Sequence, residues 1–542
     1  MSLPSSTTGG DSPALLEHPI GTELASTVAR WPDREALVGV EQGLRYTWVE
    51  LAAAVQEVAC GLIAAGIGPG DRVAVWAPNR VEWVLVQYAA ARVGAVLVTV
   101  NPAFRSPELA FVLRQSGTKV LCADTQWRDS DYVAMVDSVR AELPALERVV
   151  HFGTSGWEDL LRNGSGVTAT VVSAREAAVR AEDACTIQYT SGTTGTPKGA
   201  TLSHRNIVNN GLLVGDISGY TETDRICAPV PLYHCFGQVM AVLGALTHGA
   251  CTVLPGAVFD PAATLAAVET ERCTSLYGVP TMFMAELADP SFPARDLSSL
   301  RTGIMAGSPC PVETMKRVID EMHMPEVTIA YGMTETSPVS TQTRRADDLE
   351  RRVSTVGRVH PHVGVQIVDV VTGEVVPRGT TGELCTSGYG VMLGYWEDQE
   401  RTAEAVDRLG RMHTGDLAVM DDDDYLAIVG RSKDMVIRGG ENIYPREVEE
   451  VLYAHPDVAD VQVVGVPDER YGEELMAWVR PRPGALVDPE EVRAFTRQRL
   501  ARYKVPRHVV VLAADEEFPM TVTGKVQKYV LRERAVEVLG LA

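Results

Sequence analysis

The segment Tyr189-Thr190-Ser191-Gly192-Thr193-Thr194-Gly195-Thr196-Pro197-Lys198-Gly199-Ala200 gathers five serine and threonine hydroxyls, three glycines and one lysine into twelve residues. Its chemistry is that of phosphate binding. Glycines let backbone N–H groups approach an anion with no Cβ in the way, the hydroxyls add donors, and Lys198 adds positive charge. The spacing is not that of the common P-loop, which places four residues between its first glycine and a Gly-Lys-Ser/Thr. A kinase or ATPase of that type is therefore disfavoured. A plain surface turn seldom needs five hydroxyls and a lysine together. Further along, Glu335 suits Mg²⁺, a hard cation that prefers carboxylate oxygens and keeps several waters.

These residues need elements to position them. Residues 185–189 have strand composition, and Ser203 and Asn206 can cap a helix whose apolar face starts at Ile207, so strand, glycine-rich loop and helix are expected in order. Val73 to Trp76 reads as a buried strand, Asn79 as the cap of the next helix, Gly94 as its end, and 95–100 as a second strand. Ser106-Pro107 starts another helix that Gly117 ends before a strand at 119–122. A similar rhythm returns with helix 261–271, strands 274–279 and 301–306, helix 311–322 and strand 326–331. The fold class expected is α/β with parallel subdomains. Ligands of such sheets collect beyond the carboxyl ends of the strands, so Thr334 and Glu335 should face the phosphate loop. Residues 355–430 change to short alternating strands with turns such as Thr372-Gly373-Glu374, an antiparallel β subdomain in which Asp421 to Asp424 form a solvated turn. A small α/β domain is expected after Arg431. The division expected is a large domain over 1–430, including the β subdomain at 355–430, and a small mobile one over 431–542.

The chain has 542 residues, 45% of them hydrophobic, enough for more than one domain. Its 49 basic and 71 acidic residues leave a formal charge of −22. General binding to nucleic acid or anionic membranes rests on a broad basic surface, so neither is expected. Any anion site must be local, at Lys198, Arg431 to Arg438 or Arg502 to Arg507. The nine cysteines show no CxxC pair; they read as reduced core residues of a cytoplasmic protein, and none points to a metal site. Met1 to Gly10 lacks the regions of a secretory signal. The apolar stretch 83–100 is cut by Gly94 and reads as helix then buried strand, leaving no integral membrane segment. No carrier-protein segment is visible, which fits a stand-alone enzyme.

Over nearly its whole length the chain resembles the adenylate-forming superfamily of acyl-CoA synthetases, peptide-synthetase adenylation domains and luciferases. The phosphate loop carries the resemblance together with Leu232-Tyr233-His234-Cys235-Phe236-Gly237, Tyr331-Gly332-Met333-Thr334-Glu335-Thr336, Thr414-Gly415-Asp416, Gly430 to Asp434, Gly439 to Pro445, and Thr523-Gly524-Lys525-Val526-Gln527-Lys528. Each is weak alone, whereas their order and spacing are specific. Tyr-His-Cys, Met392-Leu393-Gly394-Tyr395-Trp396 and Arg-Gly-Gly-Glu-Asn-Ile-Tyr-Pro are most similar to the medium-chain branch that includes acyl-CoA synthetase family member 2.

The resemblance implies ATP, Mg²⁺ and coenzyme A as the small molecules used. It implies a nucleotide site of Thr190, Ser191, Gly192, Thr193, Thr194, Gly195, Lys198, Tyr331, Gly332, Thr334, Asp416, Arg431 and Lys525. Within it, Tyr331 lies against adenine, Thr334 meets phosphate, Asp416 accepts from the ribose hydroxyls, and Glu335 holds the metal. Lys525 swings in to bridge the substrate carboxylate and the α-phosphate, which lowers the barrier without proton transfer. His234 borders the acyl and phosphate sites, beside an acyl pocket at Tyr277, Val279, Gly307 and Ser308. No general base is required, because a carboxylate is already ionised at neutral pH. Lys433 takes the hinge position. Gly439 and Gly440 pass the pantetheine arm, and Tyr503, Lys504 and Arg507 form a CoA-nucleotide patch. The function expected is conversion of a carboxylic acid, a medium-chain fatty acid, through acyl-AMP to acyl-CoA. The alternative is an adenylating enzyme that loads a carrier protein in trans. A non-catalytic acyl-binding protein leaves Lys198, Glu335 and Lys525 without a purpose.

Overall fold

The computed structural model describes residues 3–190, 197–308, 310–439, 441–520 and 526–541, apart from the side chain of Asn442. Ser191 to Gly195, Gly440 and Lys525 therefore lie outside the described residues. The fold is mixed α/β. It divides into two compact units, one of residues 7–365 and 386–412, the other of 1–6, 366–385 and 413–542.

The larger unit holds two sheets. One runs Gly394–Tyr395, Lys198–Ser203, Ala184–Thr190, Val96–Thr99, Arg72–Trp76, Val120–Ala123, Arg148–His151. The other runs Arg358–Val359, Val339–Gln342, Glu326–Gly332, Thr302–Ala306, Ser275–Gly278, Arg225–Cys227, Cys251–Leu254, Glu35–Gly39, Leu44–Thr47. Successive strand side chains point to opposite faces, and the sequence exploits this. Val73 and Val75 join one apolar cluster while Ala74 and Trp76 join another on the opposite face. In the second sheet Ile226, Tyr277 and Ile304 enter the same first cluster, and Cys227, Leu276 and Met305 enter a third. Helices Trp48–Ala64, Val81–Val93 and His204–Ser218 supply a large part of that first cluster, so they lie in the layer between the two sheets. This explains the apolar stretch 83–100: helix Val81–Val93 buries eleven of its residues, having protein on every side rather than lipid. Among the described residues no helix is long and apolar enough to cross a membrane.

Three local expectations need correction. Ala184–Thr190 is followed by a second strand, Lys198–Ser203, antiparallel to it, before Ser203 caps helix His204–Ser218. The loop thus joins a hairpin, and the helix begins at the far end of the second strand. Gly199 sits within that strand, where a Cβ would lie 2.8 Å from Ile187 Cγ2, so its smallness serves sheet packing. Asn79 is not a cap either; its amide donates to the Val230 carbonyl and accepts from Leu232 N–H, tying the first subdomain to the segment before His234. Finally, 355–430 is not purely antiparallel β. It contains helix Gln399–Ala405 and lends Arg358–Val359 and Gly394–Tyr395 to the two large sheets.

In the second unit, strands Glu441–Ile443, Val436–Arg438, Gly472–Pro481 and Val458–Asp468 form a sheet that His508–Val511 extends. Helices Pro445–Tyr453 and Pro489–Arg497 bury Val448, Leu452 and Val492 on one side of it. Helix Lys528–Leu539, not foreseen from the sequence, buries Leu531 and Ala535 against Val464, Val466, Met476 and Trp478.

Candidate active site

The antiparallel strands Ala184–Thr190 and Lys198–Ser203 pair Thr190 with Lys198. Across from it, strand Glu326–Gly332 ends in a tight turn that carries Thr334, Glu335 and Thr336. Gly332 is obligatory there, since a Cβ would lie 1.7 Å from the Pro338 carbonyl oxygen. The turn buries Thr334 and Glu335, each 6% exposed. The Thr190 hydroxyl lies 3.5 Å from Glu335 Oε1, at the edge of hydrogen bonding, so the end of strand Ala184–Thr190 and the strand-end carboxylate lie side by side. Tyr331 is half-buried at the end of the same strand.

Thr334 also connects the turn to the His234 segment, its hydroxyl lying 3.8 Å from the Cys235 thiol. His234 Nδ1 accepts from Phe236 N–H at 3.2 Å, which in a neutral ring puts the proton on Nε2. Gly237 closes this turn, with room for no side chain because a Cβ would lie 2.4 Å from the Pro231 carbonyl oxygen. The following helix, Phe236–Leu243, has the wide i to i+5 bonding that recurs at functional sites.

Beside it, strands Ser275–Gly278 and Thr302–Ala306 run parallel, with Gly278 opposite Met305, so Val279 and Gly307-Ser308 emerge from neighbouring strand ends. Gly307 has φ +92°, and a Cβ there would press on Val279 Cγ1 at 3.2 Å. Tyr277 is fully buried; its hydroxyl accepts from Tyr220 and donates to the Met240 carbonyl, and its ring stacks on Phe236. Of the apolar run that follows, Val279 and Met282 pack into the layer between the sheets, Phe283 turns into the opposite cluster, and Met284 is 41% exposed. The helical period of Pro280–Ala288 separates Met282, Phe283 and Met284, which look equivalent in sequence.

In the smaller unit, strands Met412–Met420 and Leu426–Arg431 place Asp416 opposite Arg431. Arg431 Nε donates to Asp416 Oδ1 at 3.0 Å. Glu383, absent from the sequence reading, organises this turn: Oε1 accepts from Gly415 N–H and Oε2 meets His413 Nδ1, both at 3.0 Å. The donor atoms of Glu383, Cys385 and His413 lie within 4.8 Å of one another, a proximity not foreseen from cysteine spacing, and those hydrogen bonds account for it. Lys433 follows in a turn closed by Asp434 and Met435 N–H groups on the Arg431 carbonyl. Gly439 has φ +61° and donates its N–H to Tyr471 O. Lys504 is paired with Glu447 at 2.6 Å and Arg507 with Asp468 at 3.0 Å, so the basic patch near Tyr503 is largely compensated in charge.

A strand pair that brackets a hydroxyl- and glycine-rich sequence, with a buried strand-end carboxylate beside its base, fits the class of nucleotide-using enzymes. Residues 24–396 match the model of the AMP-binding enzymes, and 447–525 match that of the AMP-binding enzyme C-terminal domain. The chain belongs to the AMP-binding enzyme family. It is 47% identical to a putative acyl-CoA synthetase, YngI, of Bacillus subtilis, over 97% of this chain and 99% of that protein. It is 42% identical to the mitochondrial medium-chain acyl-CoA ligase ACSF2 of Danio rerio, over 97% and 91% respectively. Among solved structures, ATP-bound MatB from Rhodopseudomonas palustris superposes with a TM-score of 0.84 at 31% identity, covering 96% of this chain and 99% of that one. Within the family, this chain is an ATP-dependent acyl-CoA synthetase.

Proposed function

We propose that the enzyme activates a medium-chain fatty acid in two steps, through acyl-AMP with release of pyrophosphate, and then transfers the acyl group to CoA with release of AMP. The observation that carries the reading is the juxtaposition of Thr190, at the root of the hydroxyl-rich loop, with buried Glu335. A carboxylate attacking a triphosphate meets negative charge on both sides, and activation needs fixed positive charge and donors there. Lys198 and the loop amides hold the β- and γ-phosphates; Lys525 bridges the attacking carboxylate and the α-phosphate. Tyr331 packs on adenine, Thr334 donates to phosphate, and Asp416, steadied by Arg431, accepts from the ribose hydroxyls.

Glu335 with the Thr190 hydroxyl beside it offers oxygen donors, the chemistry that suits Mg²⁺. Mg²⁺ bound there would neutralise phosphate charge. His234, Val279, Gly307 and Ser308 border the acyl site, and Tyr277 backs it. Residues 1–430 act as the nucleotide-binding body. Residues 431–542 turn about Lys433 between the half-reactions, with Gly439 and Gly440 leaving room for pantetheine and Tyr503 and Arg507 meeting the CoA nucleotide. Reduced thiols throughout support a cytoplasmic setting.

The medium-chain assignment rests on the apolar wall of Phe236, Val279 and Met282 and on the names of the relatives. Each methylene buried adds about 0.8 kcal/mol, roughly fourfold in specificity constant, until the cavity is full. Pyrophosphate release measured with CoA across straight-chain acids from acetate to palmitate should therefore climb and peak among the medium chains. A maximum at acetate, or with an amino acid, overturns the substrate assignment. Preference for a phosphopantetheinyl carrier over free CoA in competition overturns the acceptor.

A further inference from the structure

Met392-Leu393-Gly394-Tyr395-Trp396 is conspicuous in the sequence yet has no part in the chemistry above. In the structure it is the strap between the two sides of the site. Leu393 and Trp396 N–H groups donate to the Thr201 and Gly199 carbonyls, next to Lys198, and Met392 N–H donates to the carbonyl of Glu335 itself. Tyr395 pairs with Ala200 in the sheet and is 8% exposed. Its hydroxyl donates to Glu335 Oε1 at 2.9 Å, while Lys198 Nζ stands 4.9 Å from the centre of its ring. One side chain thus touches both the carboxylate and the ammonium on which the phosphate chemistry depends. The Tyr395 backbone is itself fixed, its N–H bonded to Thr402 Oγ1 at 2.8 Å, and Gly394 reaches φ +142° to make the approach.

We propose that Tyr395 is a positioning residue: its hydroxyl orients the Glu335 carboxylate for the cation that accompanies ATP, and its ring face holds Lys198 toward the phosphates. The inference rests on the assignment of Glu335 as the cation-binding carboxylate. Its two halves are separable. The hydroxyl bond fixes the rotation of a buried carboxylate, so its loss weakens cation use without removing charge. The ring attracts an ammonium through its quadrupole, and that contact survives replacement by phenylalanine.

The test is calorimetric ATP binding at a series of Mg²⁺ concentrations, run beside the Mg²⁺ dependence of pyrophosphate exchange, for Y395F, Y395L, E335Q and Y395F/E335Q. For Y395F the gain in ATP affinity conferred by Mg²⁺ should shrink by about tenfold or more, the scale of one hydrogen bond to a charged acceptor, with metal-free affinity unchanged. Y395L, lacking the ring, should weaken metal-free binding as well. In the E335Q background the Y395F change should disappear, because the hydroxyl acts through that carboxylate. If E335Q shifts the Mg²⁺ response and Y395F does not, or if Y395F shifts it equally in both backgrounds, the positioning role is wrong and the cation assignment stands. If E335Q leaves the response unchanged, the cation assignment fails and the role of Tyr395 fails with it.

Discussion

Replacing Asp416 by asparagine separates ribose recognition from structural support. The Asp416 side chain is 12% exposed and accepts from Arg431, whose own side chain is 56% exposed. An ion pair with one partner that open to water is worth less than about 1 kcal/mol. Melting should therefore fall by only a few degrees, about 2–4 °C per kcal/mol for a body of this size. Recognition should suffer much more. A hydrogen bond from a ribose hydroxyl to a carboxylate contributes about 1.5–3 kcal/mol, or roughly tenfold to 150-fold in affinity, and asparagine exchanges one acceptor oxygen for a donor. The assay is pyrophosphate release with ATP, 2′-deoxy-ATP and 3′-deoxy-ATP at saturating acid and CoA. The parent enzyme should favour ATP over at least one deoxy analogue by about tenfold or more, and Asp416→Asn should lose most of that preference while its KM for ATP rises. An Asp416→Asn variant that melts normally and still discriminates the deoxy analogues as the parent does would falsify the ribose assignment.

Lys525→Ala should depress acyl-AMP formation by about 10²-fold or more while largely sparing CoA transfer from supplied acyl-AMP, and Lys433→Pro, which fixes φ near −65° at the hinge, should do the reverse. Pre-steady-state pyrophosphate bursts and thioester formation from synthetic acyl-AMP decide it; equal losses of both half-reactions in both variants refute the two-face reading. Glu286, 1% exposed and with no hydrogen-bond partner for either carboxylate oxygen among the described residues, is pushed by burial well above its ordinary value of 4.5. A raised folded value means its contribution is fully present below the unfolded value and is lost as pH rises through the folded one. Glu286→Met should therefore gain melting temperature relative to the parent increasingly as pH is raised from 5 to 9, by about 1–3 kcal/mol equivalent; parallel pH curves for the two proteins contradict the burial argument.

Much of the fold was legible because its signals are local. Helix ends at Gly94 and Gly117, the cap at Ser203, and the strands 275–278, 302–306 and 326–332 stand within a residue or two of where composition and turn residues put them. The hairpin after the phosphate loop was not legible, since Lys198 to Ser203 shows no alternation of apolar and polar residues: it is a strand buried on both faces. Asn79 misled for a related reason. An asparagine ahead of a helix reads as a cap, and nothing in its neighbourhood announces that the Val230 and Leu232 backbone, 151 and 153 positions away, claims its amide.

The chain's own order of residues determined the family, the α/β class and the identity of the chemically able groups, because a hydroxyl-glycine-lysine run, a strand-end glutamate and a Thr-Gly-Asp turn carry their chemistry wherever they are placed. Which of them meet was decided by packing. Thr190 and Glu335 are 145 positions apart, and Tyr395 lies 60 beyond Glu335. Tyr395 reaches the site only because a two-residue strand adds to the edge of the sheet that carries Lys198. Glu383 likewise supports the Asp416 turn through a carboxylate 32 positions before Gly415. Such pairings arise from the sheet edge and from hydrogen-bond demand in a buried site, where an unpartnered polar group is costly. They leave no periodic trace in the sequence, since a single tyrosine or glutamate at a strand end reads the same whether it supports an active site or merely fills a surface.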